Sequence, residues 1–406
     1  MPTGIGFRVL EDFMRDVFIV SGARTAIGTF GGGLKDVAPS DLATLVATEA
    51  LKRSGVAPSE VGHVVFGQVI QTEARDMYIA RVAGVNSGIP IETPALTVNR
   101  LCGSGLQAVV SAAQSILLGD CEIAVAGGAE SMSRAPYHAP AMRFGARMGD
   151  TAMVDMLTAA LSDPFDRFHM GVTGENVAER YGITREDQDG LALESHRRAS
   201  QAIKAGKFKD QIVGVEVKTR KGVTVFDQDE HVRHDVSLED FQKLRPVFKK
   251  DGGTVTAGNA SGINDGAAAV ILASGEAVQK FGLKPMARLV GYSHAGVEPA
   301  YMGTGPIPAT RSLLAKTGIG TADLDIIESN EAFAAQACAV SRELGFDPAK
   351  VNPNGSGISL GHPVGATGAI NTVKAVYELQ ATQTRYALVT MCIGGGQGIA
   401  AIFERV

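Results

Sequence analysis

Apolar residues run without interruption through DVFIV at 16–20, which predicts a strand covered on both faces rather than one with a solvent face. Leu42, Leu45, Val46 and Ala50 then recur at helical spacing, predicting a helix capped by Ser40 and ended by Gly55. A strand is expected near 63–70, and another in LTVN at 96–99. A helix over 104–118 runs up to Gly119, and EIAVA at 122–126 reads as a further strand. Strand and helix alternate throughout, which indicates an α/β fold.

The second half echoes the first. LKRSGVAPSEVGHVVFGQ at 51–68 resembles LAKTGIGTADLDIIESN at 314–330, and VNRLCGSG at 98–105 resembles VNPNGSG at 351–357. The simplest explanation is an internal duplication, two similar α/β halves packed together with the chemistry at their seam. The expected halves are 14–132 with 260–284, and 285–406.

Residues 133–259 break the pattern. Their early part, YHAPAMRFGARMGD, is rich in Met, Arg and Phe, and their later part, KTRKGVTVFDQDEHVRHD, is charged. That composition predicts an inserted loop domain outside the core sheets. Within it, 181–209 reads as a polar helix capped by Thr184 ahead of Asp187. Residues 1–13 precede the first strand and are expected to lie outside the fold.

At 406 residues the chain exceeds what one hydrophobic core normally supports, in keeping with two halves and an insertion. Net charge is −5 and no run of five like charges occurs, so the chain lacks the electrostatic footprint of a nucleic-acid binder. No run of 18 apolar residues suits a membrane span. The four cysteines form no CxxC and are too few for a disulfide scaffold, which fits a reducing compartment. The opening segment has no secretory pattern and FERV ends the chain, so cytoplasm is the expectation. No His, Cys and carboxylate cluster has metal-ligand spacing.

The candidate chemistry lies in two cysteines that each open a glycine-rich turn, Cys102 in VNRLCGSGLQA and Cys392 in MCIGGGQGIA, with His362 between them in SGISLGHPVGATG. Cys102 falls between a predicted strand and a predicted helix, whose N-terminus would lower a thiol pKa. A free cysteine is only a few per cent thiolate at neutral pH, so His362 is its natural base. The glycines after Cys392 suit a turn that aims N–H groups inward at an oxyanion. Two thiols and an imidazole fit carbon–carbon bond chemistry on thioesters, one thiol carrying an acyl group while the other moves a proton. Cys121 and Cys338 read as structural, and so do His63, His138, His196 and His231.

VNRLCGSGLQA, NEAFAAQ at 330–336, GHPVGATG and CIGGGQG, in this order and at this separation, resemble the motifs of the thiolase family, particularly its biosynthetic acetyl-CoA acetyltransferase or β-ketothiolase type. The resemblance covers 15–406. It implies a duplicated five-layer αβαβα fold with a loop domain inserted in the first half. It implies a homotetramer, a dimer of dimers, tethered by a loop at about 136–150, with the insertion contributing to CoA binding. The implied reaction is reversible Claisen condensation of acetyl-CoA with acetyl-CoA or another short acyl-CoA, giving 3-ketoacyl-CoA plus CoA, as in fatty acid metabolism or polyhydroxyalkanoate biosynthesis. Acyl-CoA and CoA are the implied partners, without a metal or an organic cofactor.

By that resemblance Cys102 takes the acyl group and His362 accepts its proton. Cys392 acts as base on the methyl group of the second acetyl-CoA. His362 and a water fixed by Asn330 hold the enolate oxygen, while the N–H groups of Cys102 and Gly394 form the other oxyanion hole. Glu331 is implied as an anchor behind Asn330. Leu161, His169, Met170, Phe248, Ala257, Ser261, Met302 and Phe333 would line the pantetheine and acyl path, and Arg233 would face the nucleotide. Asp240 departs from the serine of some relatives.

Other readings compete. A degradative 3-ketoacyl-CoA thiolase of fatty-acid β-oxidation would use the same residues. GSGLQA at 103–108 matches the dinucleotide fingerprint G-x-G-x-x-A of an oxidoreductase, but the next strand ends in glycines rather than a ribose-binding acid. A decarboxylating ketosynthase would pair its cysteine with two histidines, and a carrier on the same fold would lack a catalytic cysteine. A disulfide between the two thiols would be a redox switch.

Overall fold

The computed structural model describes residues 16–220 and 222–406, so the expectation for 1–13 falls outside the described residues. The first half runs β1 (Val17–Arg24), α1 (Pro39–Ser54), β2 (His63–Gly67), α2 (Ile79–Asn86), β3 (Ala95–Val98), α3 (Ser104–Leu117) and β4 (Ile123–Ser131). The inserted region carries α4 (Met170–Tyr181) and α5 (Arg185–Lys204), after which β5 (Asn264–Ser274) returns to the first sheet. The second half runs β6 (Ala287–Gly296), α6 (Pro306–Thr317), β7 (Ile326–Ser329), α7 (Ala334–Leu344), α8 (Thr367–Thr382), β8 (Tyr386–Ile393) and β9 (Gln397–Arg405).

The strand orders expose the duplication. One sheet runs β3-β2-β4-β5-β1 and the other β7-β8-β9-β6. Where β2 pairs in parallel with β3 through Val64 and Ala95, the second half has a single parallel bridge from Ile327 to Val351. The two sheets are joined edge to edge by β1 and β6, which pair at Phe18 with Arg288 and Ile19 with Ala287.

Five layers follow from which side chains meet. Leu42, Val46 and Ala50 of α1 pack on Val64, Phe66 and Val125 at the outer face of the first sheet. Leu106 and Val109 of α3, with Ile370 and Val373 of α8, fill the space between the sheets against Val270 and Val389. Leu313 of α6 and Val340 of α7 cover Ile327, Leu388 and Ile402 on the far side. Within β4, Ile123 and Val125 face outward and Ala124 and Ala126 inward. Both faces are dry, which is why such strands read as continuous apolar runs.

Several boundaries differ from expectation. Ser40 does not cap α1: the helix starts two residues earlier than that cap implies, at Pro39 with Ala38 as the cap, because proline's fixed φ suits the first helical position. Gly55 does end it, at φ +72. The helix expected over 181–209 covers only 185–204. Tyr181 belongs to α4, which stops at left-handed Gly182, and the Thr184–Asp187 capping box starts the next helix. The strand read at 122–126 extends to Ser131 as β4, since pairing with β5 continues to Asp265.

Two small antiparallel pairs in the insertion, Tyr137–His138 with Val154–Asp155 and Val215–Thr219 with Gly222–Phe226, join neither large sheet. A fully buried ion pair ties this region to β1. Arg24 donates to both carboxylate oxygens of Asp229 at 2.8 and 2.9 Å, a bidentate geometry that a buried charge needs to offset its desolvation.

Candidate active site

The turn between β3 and α3 is built to present one sulfur. Leu101 adopts φ +45, a left-handed conformation that costs a branched residue on the order of 1–3 kcal/mol. Ser104 Oγ accepts the Arg100 N–H at 2.9 Å and donates to the Leu101 carbonyl at 2.7 Å, closing the turn around Cys102. Cys102 is 6% exposed. Its own N–H and that of Gly394 both point at its sulfur. The expectation that the helix N-terminus lowers this thiol's pKa does not hold. Burial outweighs the two N–H groups and pushes Cys102 up to about 11, so the thiol is protonated at rest and needs a base.

The candidate for that base stands on the 361–367 loop. His362 is buried, and desolvation lowers it to about 4, leaving the imidazole neutral at pH 7. Its backbone N–H donates to Asn264 Oδ1 at 2.9 Å, and Asn264 Nδ2 reaches the Gly28 carbonyl at 3.0 Å. Thr367 Oγ1 lies 2.6 Å from the imidazole Nδ1. Asn330, just past β7, puts its amide nitrogen 3.4 Å from Nε2, and its buried Oδ1 has no partner among the described residues. Glu331 points away. It accepts Ser195 Oγ at 2.6 Å and Asn352 Nδ2 at 2.9 Å, an anchoring geometry.

Cys392, near the end of β8, is fully buried in a cluster with Met170, Val255, Met302, Ala332 and Phe333. Burial first, and then the neighbouring Cys102 sulfur, push its thiol well above the ordinary cysteine range. Two residues on, Gly394 lies under Met170. A Cβ there would sit 2.3 Å from the methionine Cε.

A cleft of about 820 Å³ opens onto this centre. Its lining includes Leu161, His169, Arg233, Phe248, Ala257, Ser261, Phe333 and His362. His169 stacks on Phe248 at 4.7 Å, and Phe248 meets Phe333 edge-on at 6.5 Å, giving an aromatic wall with a right-angled corner. Met170 and Met302 lie beneath that wall, in the cluster around Cys392, rather than on the cleft surface. His231, read from sequence as a bystander, also lines the cleft, as do Thr29 and Phe30. No local sequence signal sets His231 apart. Asp240 is spent on capping, accepting from Ser237 N–H and Oγ at 3.0 and 2.8 Å.

The dinucleotide reading fails on space. A Cβ on Gly105 would come 2.5 Å from the Ala369 backbone nitrogen, so α8 occupies the room a pyrophosphate would need. Among the described residues, no group of three or more His, Cys, Asp or Glu side chains is arranged to hold a metal ion. No described helix is long and apolar enough to cross a membrane.

Comparison with known proteins agrees with this geometry. The family model for the thiolase N-terminal domain matches residues 17–276, and that for the thiolase C-terminal domain matches 283–405. The chain is 69% identical over 392 residues to the beta-ketothiolase BktB of Cupriavidus necator, covering 97% of this chain and all of that one. It is 51% identical over 392 residues to the acetyl-CoA acetyltransferase of Chromobacterium violaceum, covering 96% and 100%. The solved structure of human mitochondrial 3-ketoacyl-CoA thiolase in complex with CoA superposes with a TM-score of 0.94 at 46% identity, covering 97% of this chain and 99% of that one. A duplicated αβαβα architecture, two thiols brought to one seam and these matches along nearly the whole length make one statement: the chain belongs to the thiolase family.

Proposed function

We propose that this protein is an acetyl-CoA C-acyltransferase, catalysing reversible Claisen condensation of acetyl-CoA with acetyl-CoA or another short acyl-CoA. The observation that carries the reading is the pair of N–H groups, from Cys102 and Gly394, aimed at the Cys102 sulfur beside a neutral buried imidazole. His362 takes the Cys102 proton as the sulfur attacks the thioester carbonyl. The resulting oxyanion sits on the two N–H groups, each worth about 2.7–4 kcal/mol in comparable holes. The departing CoA thiolate takes the Cys392 proton, which leaves acyl-Cys102, a Cys392 thiolate and a His362 that keeps the proton it took until Cys102 is released and recovers it. Cys392 then removes a proton from the methyl group of the second acetyl-CoA, whose enolate oxygen is held by His362 and by a water on Asn330. The enolate carbon attacks the acyl group, giving 3-ketoacyl-CoA and restoring Cys102.

The cleft fits the elongated pantetheine arm of CoA. Its aromatic wall would cover the apolar portion, with Leu161, His169, Phe248, Ala257, Ser261 and Phe333 in contact and Met170 and Met302 packing from below. Arg233 and His231 are the basic lining residues available to a nucleotide phosphate. Residues 133–259 contribute much of this wall, in keeping with an inserted CoA-binding loop domain between halves at 14–132 with 260–284 and 285–406. Exposed Tyr137, Met142, Phe144 and Met148 make 136–150 the proposed tethering loop of a homotetramer. We place the enzyme in the cytoplasm, supplying short 3-ketoacyl-CoA for processes such as polyhydroxyalkanoate synthesis.

Mass spectrometry after acetyl-CoA addition tests the division of labour. Cys392→Ser is expected to accumulate acetyl-Cys102 and condense poorly, whereas Cys102→Ser forms no adduct and loses acetoacetyl-CoA thiolysis. Wild-type thiolysis by Cys102→Ser would overturn the assignment.

A further inference from the structure

A second cavity, of about 290 Å³, lies between α5 and α7 and shares no lining residue with the acyl-CoA cleft. Its walls are apolar, formed by Leu191, Ala337 and Val351. Its floor is polar and buried. There Glu331 accepts from Ser195 and Asn352, and Ser329, 2% exposed, has a hydroxyl with no hydrogen-bond partner among the described residues. An unpartnered buried hydroxyl normally signals an unfilled role, because leaving it so costs free energy.

The charges around the cavity limit what it takes. Arg198 at the rim is committed to Glu194 at 2.6 Å and to the Pro348 carbonyl at 3.1 Å, and Arg342 pairs with Asp187 at 2.9 Å. No lining cation is therefore left for an anion, and the carboxylate on the floor repels one. A hydrogen-bond donor suits Glu331, and either a donor or an acceptor suits Ser329. The volume is at the small end for ligand pockets.

We propose that this cavity is an effector site for a small uncharged amphiphile, an apolar body of fragment size with a hydroxyl or primary amide head. Occupancy reaches the active site through the chain itself. Ser329 and Glu331 flank Asn330, and Ser329 is clamped to Asn352 by N–H to Oδ1 at 3.0 Å and by its carbonyl to Nδ2 at 2.8 Å. A head group on Ser329 that also bonds the Asn352 side chain, which lines the same cavity, competes with that clamp and moves Asn330, whose amide faces His362. Binding then differs between two positions of Asn330, which is what coupling requires. The effect on turnover rests on the function proposed above, but binding does not.

Calorimetric titration of the full-length enzyme with hexanamide, hexan-1-ol and hexanoate, alongside acetoacetyl-CoA thiolysis kinetics, tests this. The two neutral probes are expected to bind saturably and to change kcat by about fivefold at saturation with KM unchanged. Ser341→Leu, which puts bulk at the cavity wall, should weaken them by about tenfold. Ala337→Leu repeats the test deeper on the same helix should the first variant not fold. Absence of saturable heat, equal binding by the variants, or hexanoate binding as tightly as hexanamide would overturn the proposal. So would saturable binding that leaves kcat unchanged, and so would a rise in KM alone, which would mean the probes occupy the acyl-CoA cleft. Absence of thiolysis by the unliganded enzyme, with probe binding intact, would instead count against the proposed function.

Discussion

The Thr367 hydroxyl lies 2.6 Å from Nδ1 of His362 while donating its own hydrogen to the Pro363 carbonyl at 2.9 Å. With that hydrogen spent, Oγ1 can only accept, so the imidazole proton resides on Nδ1 and Nε2 is left as the free base. One threonine on the first turn of α8 thereby sets the tautomer that the proposed mechanism needs.

Thr367→Val keeps the shape and removes the acceptor. Losing a hydrogen bond to a group that becomes charged in the reaction costs about 1.5–3 kcal/mol, or roughly 10- to 100-fold in kcat. Thr367→Ser should restore most of it. Steady-state thiolysis with both variants checks this, and a valine variant at wild-type kcat would detach Thr367 from catalysis.

The resting state of the pair is also testable. Burial raises Cys102 to about 11 and lowers His362 to about 4, so the neutral thiol and neutral imidazole coexist at pH 7. A thiolate–imidazolium pair would need both shifts reversed. Iodoacetamide modification of Cys102, followed by peptide mass spectrometry, should therefore accelerate about tenfold per pH unit from 6 to 9, as the thiolate fraction does. A flat rate across that range would reveal a preformed ion pair. At the acid end, thiolysis should fall as pH approaches 4 and His362 gains the proton that blocks it as a base.

The sequence made the layers and the candidate reactive residues legible because both depend on local pattern. Continuous apolar strands such as 122–126 announce burial on two faces, and Cys102, His362 and Cys392 each sit in a glycine-marked turn. What it could not show was the balance between burial and hydrogen bonding. The pKa of Cys102 rises because surrounding layers exclude water, a property of residues from both halves. Nor could it show what the glycines beside Cys102 are for. From sequence they only mark a turn, yet a Cβ on Gly103 would meet Ile393 at 2.6 Å and one on Gly105 would meet the α8 backbone. Those two serve packing between halves. His231 was passed over because nothing local distinguishes a cleft-lining histidine from a solvated one.

Glu130 carries a load that no motif suggested. At the end of β4, fully buried, it accepts backbone N–H groups from Val69 and Gly365 on one oxygen and from Ile70 on the other, at 2.9–3.1 Å. It thus pins the His362 loop to the first sheet. In Glu130→Gln, one oxygen becomes an amide donor facing a backbone donor, which should destabilise the fold by about 1–3 kcal/mol. Burial also raises this carboxyl from 4.5 to about 8. The folded state therefore holds its proton more tightly than the unfolded chain does. That contribution is complete below pH 4.5 and is lost as pH climbs through 8. Urea denaturation at pH 5 and pH 8 should show this fall in the wild type and a smaller one in Glu130→Gln. An identical pH dependence in both would exclude Glu130 as its source.

Two glycine substitutions should separate packing from chemistry. A Cβ at Gly105 would stand 2.5 Å from the Ala369 nitrogen and 3.1 Å from the Ala366 carbonyl. Both are backbone atoms of the segment that leads into and starts α8, and backbone cannot step aside without parting the two central helices. Overpacking of this kind costs about 1–3 kcal/mol or more, so Gly105→Ala should lower thermal stability or yield little folded protein. At Gly394 the obstacle is the flexible end of Met170, 2.3 Å away, which can rotate. Gly394→Ala should therefore fold with near-native stability but push the Met170 side chain toward Cys392 and shift the N–H aimed at Cys102. Losing one such donor is worth about 2.7–4 kcal/mol, hence a kcat lower by about 100- to 1,000-fold. Thermal unfolding and acetyl-Cys102 formation rates, measured on both variants, check the contrast. If Gly105→Ala were stable and Gly394→Ala fully active, the division between a glycine that lets two helices touch and one that lets a sulfur meet an amide would be wrong.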